Sequence, residues 1–176
     1  MNLKTLACAS LLALGAAASH AEDLTSTVDL VPNEGTPGFF SAALGVTHAF
    51  AGAFTDTITI TGALDGMVSA SLVTIGFLPQ TDIDLGTVTL NGMPLMINGA
   101  STAVEVASLP LSAFNGVLTL VVTGTAAPML GTGEAIAASY AGTVNVSSPV
   151  PEPESYALLL AGLGVVGLLS RRRFLG

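Results

Sequence analysis

Two side chains in the first third of the chain have the types and the spacing that could do chemistry. His48 and Asp56 stand on either side of Gly52, each within a run of alternating apolar residues. An imidazole beside a carboxylate can serve as a general base, bind a cation or form a buried structural pair. A Ser-His-Asp hydrolase could be built only on His48, because no other histidine lies between residues 22 and 150. The G-x-S-x-G elbow of α/β hydrolases is missing, so we predict no catalytic residues.

A hairpin folded about Gly52 would bring these two side chains together. If residues 51–53 form the loop, the flanking strands place apolar side chains and the His–Asp pair on one face and threonines on the other. The predicted cross-strand pairs are Leu44 with Ile60, Val46 with Ile58, His48 with Asp56, and Phe50 with Phe54. The predicted outward threonines are Thr55, Thr57, Thr59 and Thr61.

The predicted position of Asp56 on an apolar face requires partners for its carboxylate. A buried carboxylate must accept hydrogen bonds, meet a cation or remain protonated. The segment from residue 22 to residue 150 contains no Lys or Arg, so backbone N–H groups, hydroxyls, His48 or a bound cation are the available partners. We predict a structural pair with His48, and a ligand-binding role is the alternative.

Asp82 and Asp84 alternate and would share one face of a strand. Hard cations such as Ca²⁺ take several oxygen ligands, so the two carboxylates are weak candidates for a metal site. The EF-hand pattern fails, because Gly86 and Met93 stand where ligands are required. We therefore predict two solvated carboxylates, with no metal and no cofactor.

The charge distribution excludes several classes of function. All four basic residues lie at the ends of the 176-residue chain, at Lys4 and at residues 171–173. Two of the twelve acidic residues, Glu152 and Glu154, lie near the C-terminus. The other ten lie between residues 22 and 150, where the chain has no Lys or Arg. Such a surface repels phosphate backbones, so no nucleic-acid partner is expected. It also lacks the cations that phosphoryl transfer needs.

Residues 1–21 are typical of a secretory signal peptide. Lys4 precedes an apolar run, and Ser19-His20-Ala21 fits the small-x-small cleavage pattern. We expect export by the Sec-type machinery and a mature chain that begins at Glu22. The single cysteine, Cys8, would leave with the leader, which excludes disulfides and thiolate chemistry from the mature domain.

Residues 22–148 are predicted to form one all-β domain, a single antiparallel β-sandwich of jelly-roll-like arrangement. Asn-Gly dipeptides at residues 91–92 and 115–116 are preferred in tight hairpin turns. Residues 117–123 are almost all apolar and predict a central strand, and residues 136–146 alternate as a half-buried strand. Pro94 restricts its segment to an edge strand or a loop.

Residues 149–176 have three parts in a fixed order. A proline-rich block at 149–154 comes first, an apolar stretch at 156–169 follows, and three arginines at 171–173 close it. We predict a short transmembrane helix with the arginines on the cytoplasmic side. As a helix, residues 157–169 would span only about 20 Å of a core of about 30 Å, which suggests a provisional anchor. An ordinary permanent anchor with a proline-rich stalk is the alternative.

This ending resembles the PEP-CTERM sorting signal of exported bacterial proteins. The resemblance covers about the last 27 residues and rests on Val150-Pro151-Glu152-Pro153, Tyr156-Ala157-Leu158, Ala161-Gly162-Leu163-Gly164 and the cluster Arg171, Arg172 and Arg173. It implies recognition by a membrane-embedded exosortase and processing near Pro-Glu-Pro. It also implies an association with exopolysaccharide, biofilm and floc formation.

A second resemblance lies inside the β domain. Phe54-Thr55-Asp56-Thr57-Ile58 is similar to the motif of the FxDxF family of PEP-CTERM proteins, with Ile58 in place of the last Phe. That family supplies no biochemical activity to carry over.

Together these observations predict an exported, non-enzymatic protein. We expect it to be held at the membrane through its C-terminal helix, processed by exosortase and placed on the cell surface or in the matrix, in association with extracellular polysaccharide. The alternative is a β-sandwich module that binds polysaccharide or Ca²⁺. A hydrolase is a third hypothesis.

Overall fold

The computed structural model describes residues 21–62, 65–149 and 153–174. The predicted signal peptide, up to residue 20, lies outside the described residues, as do Pro151 and Glu152 of the sorting signal. Eleven strands and one helix follow one another along the described chain: β1 Thr25–Asp29, β2 Val31–Pro32, β3 Phe39–Phe50, β4 Gly52–Thr61, β5 Gly66–Ile75, β6 Ile83–Leu90, β7 Met93–Pro94, β8 Met96–Asn98, β9 Val104–Phe114, β10 Leu118–Ala126, β11 Ala135–Ser147 and α1 Pro153–Phe174.

The strands form two sheets. Sheet I has the order β1-β4-β10-β6-β7, and sheet II has the order β2-β3-β11-β5-β9-β8. Buried apolar side chains from both sheets belong to one hydrophobic cluster, which includes Ile58 and Leu120 of sheet I and Leu72 and Val144 of sheet II. The prediction of an all-β domain is confirmed, and most of the strand pairs are antiparallel, as predicted.

Alternation along the strands decides which side chains enter the core. In β4, Phe54, Ile58 and Ile60 are buried, while the threonines between them lie on the outer face. The predicted central strand is confirmed, since β10 lies between β4 and β6. The predicted edge position of Pro94 is also confirmed, because β7 ends sheet I.

One pair of strands departs from the antiparallel prediction. β1 pairs with β4 in parallel, with Thr25 opposite Thr57 and Asp29 opposite Thr61. The chain leaves sheet I after β1, runs back through sheet II as β3 and re-enters sheet I as β4. One return strand in the opposite sheet restores the original direction, so β4 must run parallel to β1.

The predicted hairpin about Gly52 is wrong. β3 pairs with β2 and β11 in sheet II, and β4 pairs with β1 and β10 in sheet I, so the two strands share no ladder. The backbone partner of His48 is Ala138. The chain crosses between the sheets at Ala51, whose N–H donates to Glu134 O (2.8 Å) and whose C=O accepts from Gly133 N (2.7 Å). Phe50, predicted to face inward, is 47% exposed at the crossing.

The tail forms α1, a helix of 22 residues that ends with the arginines at 171–173. Among the residues that the structure describes, no helix combines the length and the apolar character needed to cross a membrane. The transmembrane helix predicted from the sequence is therefore not found. Its apolar stretch is short, and the arginines occupy the last turn.

Candidate functional site

A carboxylate, an imidazole and a phenol meet in the space between the two sheets. Asp56 projects inward from β4 of sheet I, whereas His48 on β3 and Tyr140 on β11 project inward from sheet II. Tyr140 Oη donates to Asp56 Oδ2 at 2.6 Å, and His48 Nε2 lies 3.1 Å from the same oxygen. The structure thus brings the two sequence-predicted residues together across the interior, with no ladder between their strands.

The second oxygen of Asp56 fixes the start of the domain. Leu24 N–H donates to Asp56 Oδ1 at 2.9 Å, and Leu24 C=O accepts from Thr57 N–H at 2.8 Å. Beside this contact, Thr55 N–H donates to Asp23 Oδ1 at 2.7 Å. The buried carboxylate therefore joins the first residues after the predicted cleavage point to β4 and, through Tyr140, to sheet II.

Burial and the neighbouring carboxylate control the proton of Tyr140. Loss of hydration is the largest cause that raises the pKa of the Tyr140 phenol, and the hydrogen bond to Asp56 and the charge of Asp56 raise it further. The phenol therefore stays protonated and acts as a donor. A buried hydroxyl without such a partner would be costly, so the pair satisfies both groups.

His48 completes the cluster by packing. Its ring lies 4.1 Å from the Phe54 ring, centroid to centroid, and 6.3 Å from the Tyr140 ring. The Nε2–Oδ2 distance is that of an ion pair, but neither ring nitrogen makes a directed hydrogen bond to any described residue. His48, Asp56 and Tyr140 are 1%, 0% and 2% exposed, so this arrangement gives a substrate no access to the imidazole.

Sequence reasoning missed a second buried carboxylate, that of Glu105 on β9. It is fully buried, and its Oε2 accepts from Leu85 N–H at 2.7 Å while its Oε1 accepts from Ser101 N–H. The alternation of exposed Val104 and Val106 with buried Ala107 places Glu105 on the inner face. That parity was available in the sequence. The Glu105 carboxylate joins the β8–β9 connection to β6, so its role is structural.

Asp82 and Asp84 lie beside buried Ile83, at the start of β6, and both are half-buried. Partial burial raises the pKa of the Asp82 carboxyl, and the Asp84 charge raises it further, while a backbone hydrogen bond from Ile83 lowers it. Within the described ranges, no three His, Cys, Asp or Glu side chains converge to hold a metal ion. The two carboxylates form a small negative surface.

Two surface cavities lie away from the buried cluster. One of about 320 Å³ lies on the outer face of sheet II, between β5, β9 and β11, and is lined mainly by apolar atoms around Val73, Val106 and Ala141. The other, of about 450 Å³, lies where the β domain ends, and Ser147, Ser148 and Pro149 help to line it. Neither cavity is lined by His48, Asp56 or Tyr140.

The last residues of the β domain are held up to the point where the tail begins. Ser148 N–H donates to Gly38 C=O at 2.7 Å, and Ser148 Oγ donates to Asp65 C=O at 3.2 Å. Pro153 is the first residue of α1, and Arg171, Arg172 and Arg173 lie in its last turn.

A comparison with known families decides what this tail is. Residues 149–173 match the PEP-CTERM protein-sorting motif. The match begins one residue after Ser148 and includes all the sorting residues predicted from the sequence. No curated protein and no solved structure matches the chain. The sorting motif implies an exported protein that is targeted by exosortase and held transiently at the membrane.

Proposed function

We propose that this protein is exported, processed by exosortase within its Pro-Glu-Pro segment, and released as a non-enzymatic β-sandwich domain to the cell surface or extracellular matrix. The observation that carries the proposal is the sorting motif at residues 149–173, which directly follows a β domain that is hydrogen-bonded up to Ser148. The predicted signal peptide at residues 1–21 directs export of the chain by the Sec-type machinery.

The burial of the reactive groups supports a non-enzymatic role. His48 is the single histidine between residues 22 and 150, and it lies in the core with Asp56 and Tyr140. The domain lacks cysteine, lysine and arginine in that range, so few groups remain for catalysis.

The outer face of sheet I supports a role in the matrix. Its threonines stand opposite one another across neighbouring strands, as in the rows Thr27–Thr59–Thr119 and Thr55–Thr123–Thr87. Such rows present hydroxyl groups that can both donate and accept hydrogen bonds, as the hydroxyls of a polysaccharide do. We infer an association with exopolysaccharide and biofilm, and we place the protein in the FxDxF group of sorting-motif proteins on its Phe54–Ile58 segment.

A processing assay in the native host tests the proposal. Replacing Pro151, Glu152 and Pro153 together by alanine should leave the protein in the membrane fraction and abolish the released form. The matched control replaces a proline and a glutamate of the exposed loop between β10 and β11, Pro128→Ala with Glu134→Gln, and should be released like wild type. Release of the alanine variant at the wild-type level would refute exosortase processing.

A module that binds polysaccharide or Ca²⁺ is the alternative function. The pair Asp82 and Asp84 favours it: partial burial raises the pKa of Asp82, the neighbouring Asp84 charge raises it further, and a cation would relieve that repulsion. A ligand that binds only the native state must raise the unfolding midpoint by mass action. A midpoint that rises with millimolar Ca²⁺, but not with Mg²⁺, would favour this alternative, and an unchanged midpoint would exclude Ca²⁺ as the ligand.

A further inference from the structure

A groove opens at the point where the sorting motif leaves the β domain. We name it the exit groove; its volume is about 450 Å³. Its lining comes from the start of β5, the end of β9 and the end of β11, and includes Asp65, Gly66, Met67, Ala113, Ser147 and Pro149. Pro149 is also the first residue of the matched motif, so groove and motif are continuous.

The exit groove has an apolar floor and an acidic rim. Met67 lies opposite Ala113 on one side and Ser147 on the other, so three neighbouring strands form the floor. Met67 is 39% exposed, and its two neighbours are small, which leaves room beside its side chain. Asp65 lies at the rim, where its Oδ1 accepts from Gly116 N–H at 3.3 Å.

Gly66 keeps this corner of the domain closed. A Cβ at residue 66 would lie 2.5 Å from Ser147 C=O, so only glycine allows β5 to approach the end of β11 this closely. The floor is therefore built on paired strands, and its shape is fixed by the fold.

The exit groove also lies within a short reach of the bond to be cut. Ser148 is held by hydrogen bonds to Gly38 and Asp65, and Pro153 comes five residues later. Five extended residues span at most about 18 Å. An enzyme that acts within Pro-Glu-Pro must therefore stand against this end of the folded domain.

We propose that the exit groove is a docking site for the exosortase itself, in addition to the sorting motif. This proposal rests on the proposed function. The partner surface should place an apolar side chain over Met67 and a lysine or arginine beside Asp65. The cation must come from the partner, since the chain has no Lys or Arg between residues 22 and 150. For the same reason, the β domain of a second copy cannot supply it.

The rate of processing in the native host, measured by pulse labelling and gel mobility, tests the proposal. Asp65→Asn keeps the acceptor for Gly116 and should slow processing about threefold, the factor typical of an exposed ion pair. Asp65→Lys places like charges together and should slow it about tenfold. Met67→Gln should also slow processing about threefold, because it removes the apolar floor at nearly constant volume.

Matched controls separate docking from general effects of charge and polarity. Glu134→Gln removes an exposed carboxylate beside the start of β11, the end remote from Ser147, and Met96→Gln changes a 67% exposed methionine on the edge strand β8. Both should be processed at the wild-type rate. Unfolding midpoints of all variants, measured on the purified full chain, should agree with wild type within a few degrees.

The outcomes distinguish this inference from the proposed function. Wild-type rates for all exit-groove variants would overturn the docking site while leaving exosortase processing intact. A wild-type chain that is never processed would overturn both. A flexible insert of six residues between Ser148 and Pro149 supplies a second test. It should slow processing if the exit groove and the motif bind together, whereas faster processing would mean that the folded domain only obstructs the enzyme.

Discussion

Removal of one buried hydroxyl should measure how strongly the Asp56 cluster joins the two sheets. Tyr140→Phe deletes the donor that lies 2.6 Å from Asp56 Oδ2 and leaves the aromatic ring in place, so no large cavity is created. A hydrogen bond to a charged group contributes about 1.5–3 kcal/mol. We therefore expect a loss of about 2 kcal/mol in the free energy of unfolding. For a domain of this size, that loss corresponds to a decrease of about 8 °C in Tm.

The assay is thermal and urea unfolding of the full-length chain, followed by far-UV circular dichroism. Tyr156→Phe is the matched control, because this tyrosine is 58% exposed in α1 and should change stability by less than about 0.5 kcal/mol. The double variant with Asp56→Asn should show a coupling energy of about 1 kcal/mol or more between the two positions. A Tyr140→Phe variant as stable as the control would refute the assigned role of this hydrogen bond.

Three further predictions concern the pH dependence of Tyr140 and Asp82 and the close packing at Gly142. Burial and the Asp56 carboxylate raise the pKa of Tyr140, so the stability that this phenol contributes is complete below the ordinary tyrosine pKa of about 10 and is lost as pH rises through the higher folded-state pKa. In urea titrations above about pH 10, the free energy of unfolding should therefore fall more steeply for the wild type than for Tyr140→Phe. Burial and the Asp84 charge raise the pKa of Asp82, so the folded state is favoured while this carboxyl is protonated and loses stability as pH rises through the folded-state pKa. Asp82→Asn stays neutral and should therefore raise Tm at pH 7 and leave Tm at pH 3 unchanged. Gly142→Ala should lower stability by about 2 kcal/mol, because its Cβ would lie 2.3 Å from Ser71 C=O, while Gly45→Ala meets only Tyr140 C=O at 3.9 Å and should be tolerated.

The alternation of the strands could be predicted from the sequence, but the partners of the strands could not. The inward positions 44, 46, 48, 54, 56, 58 and 60 are all buried. A hairpin and a crossing between sheets give the same alternation, so the pattern alone does not separate them. The crossing depends on backbone hydrogen bonds between Ala51 and the remote residues Gly133 and Glu134. Gly52 has φ of 144°, which favours glycine at this bend.

Tight turns were the more predictable local features. Asn91 and Gly92 have φ values of 48° and 80° and join β6 to β7, as the dipeptide predicts. Asp65-Gly66 has the same chemistry but differs, since Gly66 begins β5 against Ser147 and Asp65 borders the exit groove. The position of Asp65 at the exit groove depends on how β5, β9 and β11 pack together, which the dipeptide alone does not predict.

The partners of Asp56 were predictable in kind but not in identity. The absence of Lys and Arg left hydroxyls, backbone N–H groups, His48 or a bound cation. In the structure a hydroxyl and a backbone N–H donate to the carboxylate, and His48 Nε2 lies beside it. Tyr140 and Leu24 are remote in sequence from Asp56, so local spacing could not identify them. An inward tyrosine requires a partner for its hydroxyl, which was the one signal available.

The intact mass of the wild-type protein, recovered from the membrane, surface and medium of its host, tests the central claim most directly. Export and processing predict a species that begins at Glu22 and ends within residues 151–153, found at the surface or in the medium. A protein that retains Arg171, Arg172 and Arg173 and stays in the membrane fraction would contradict the account.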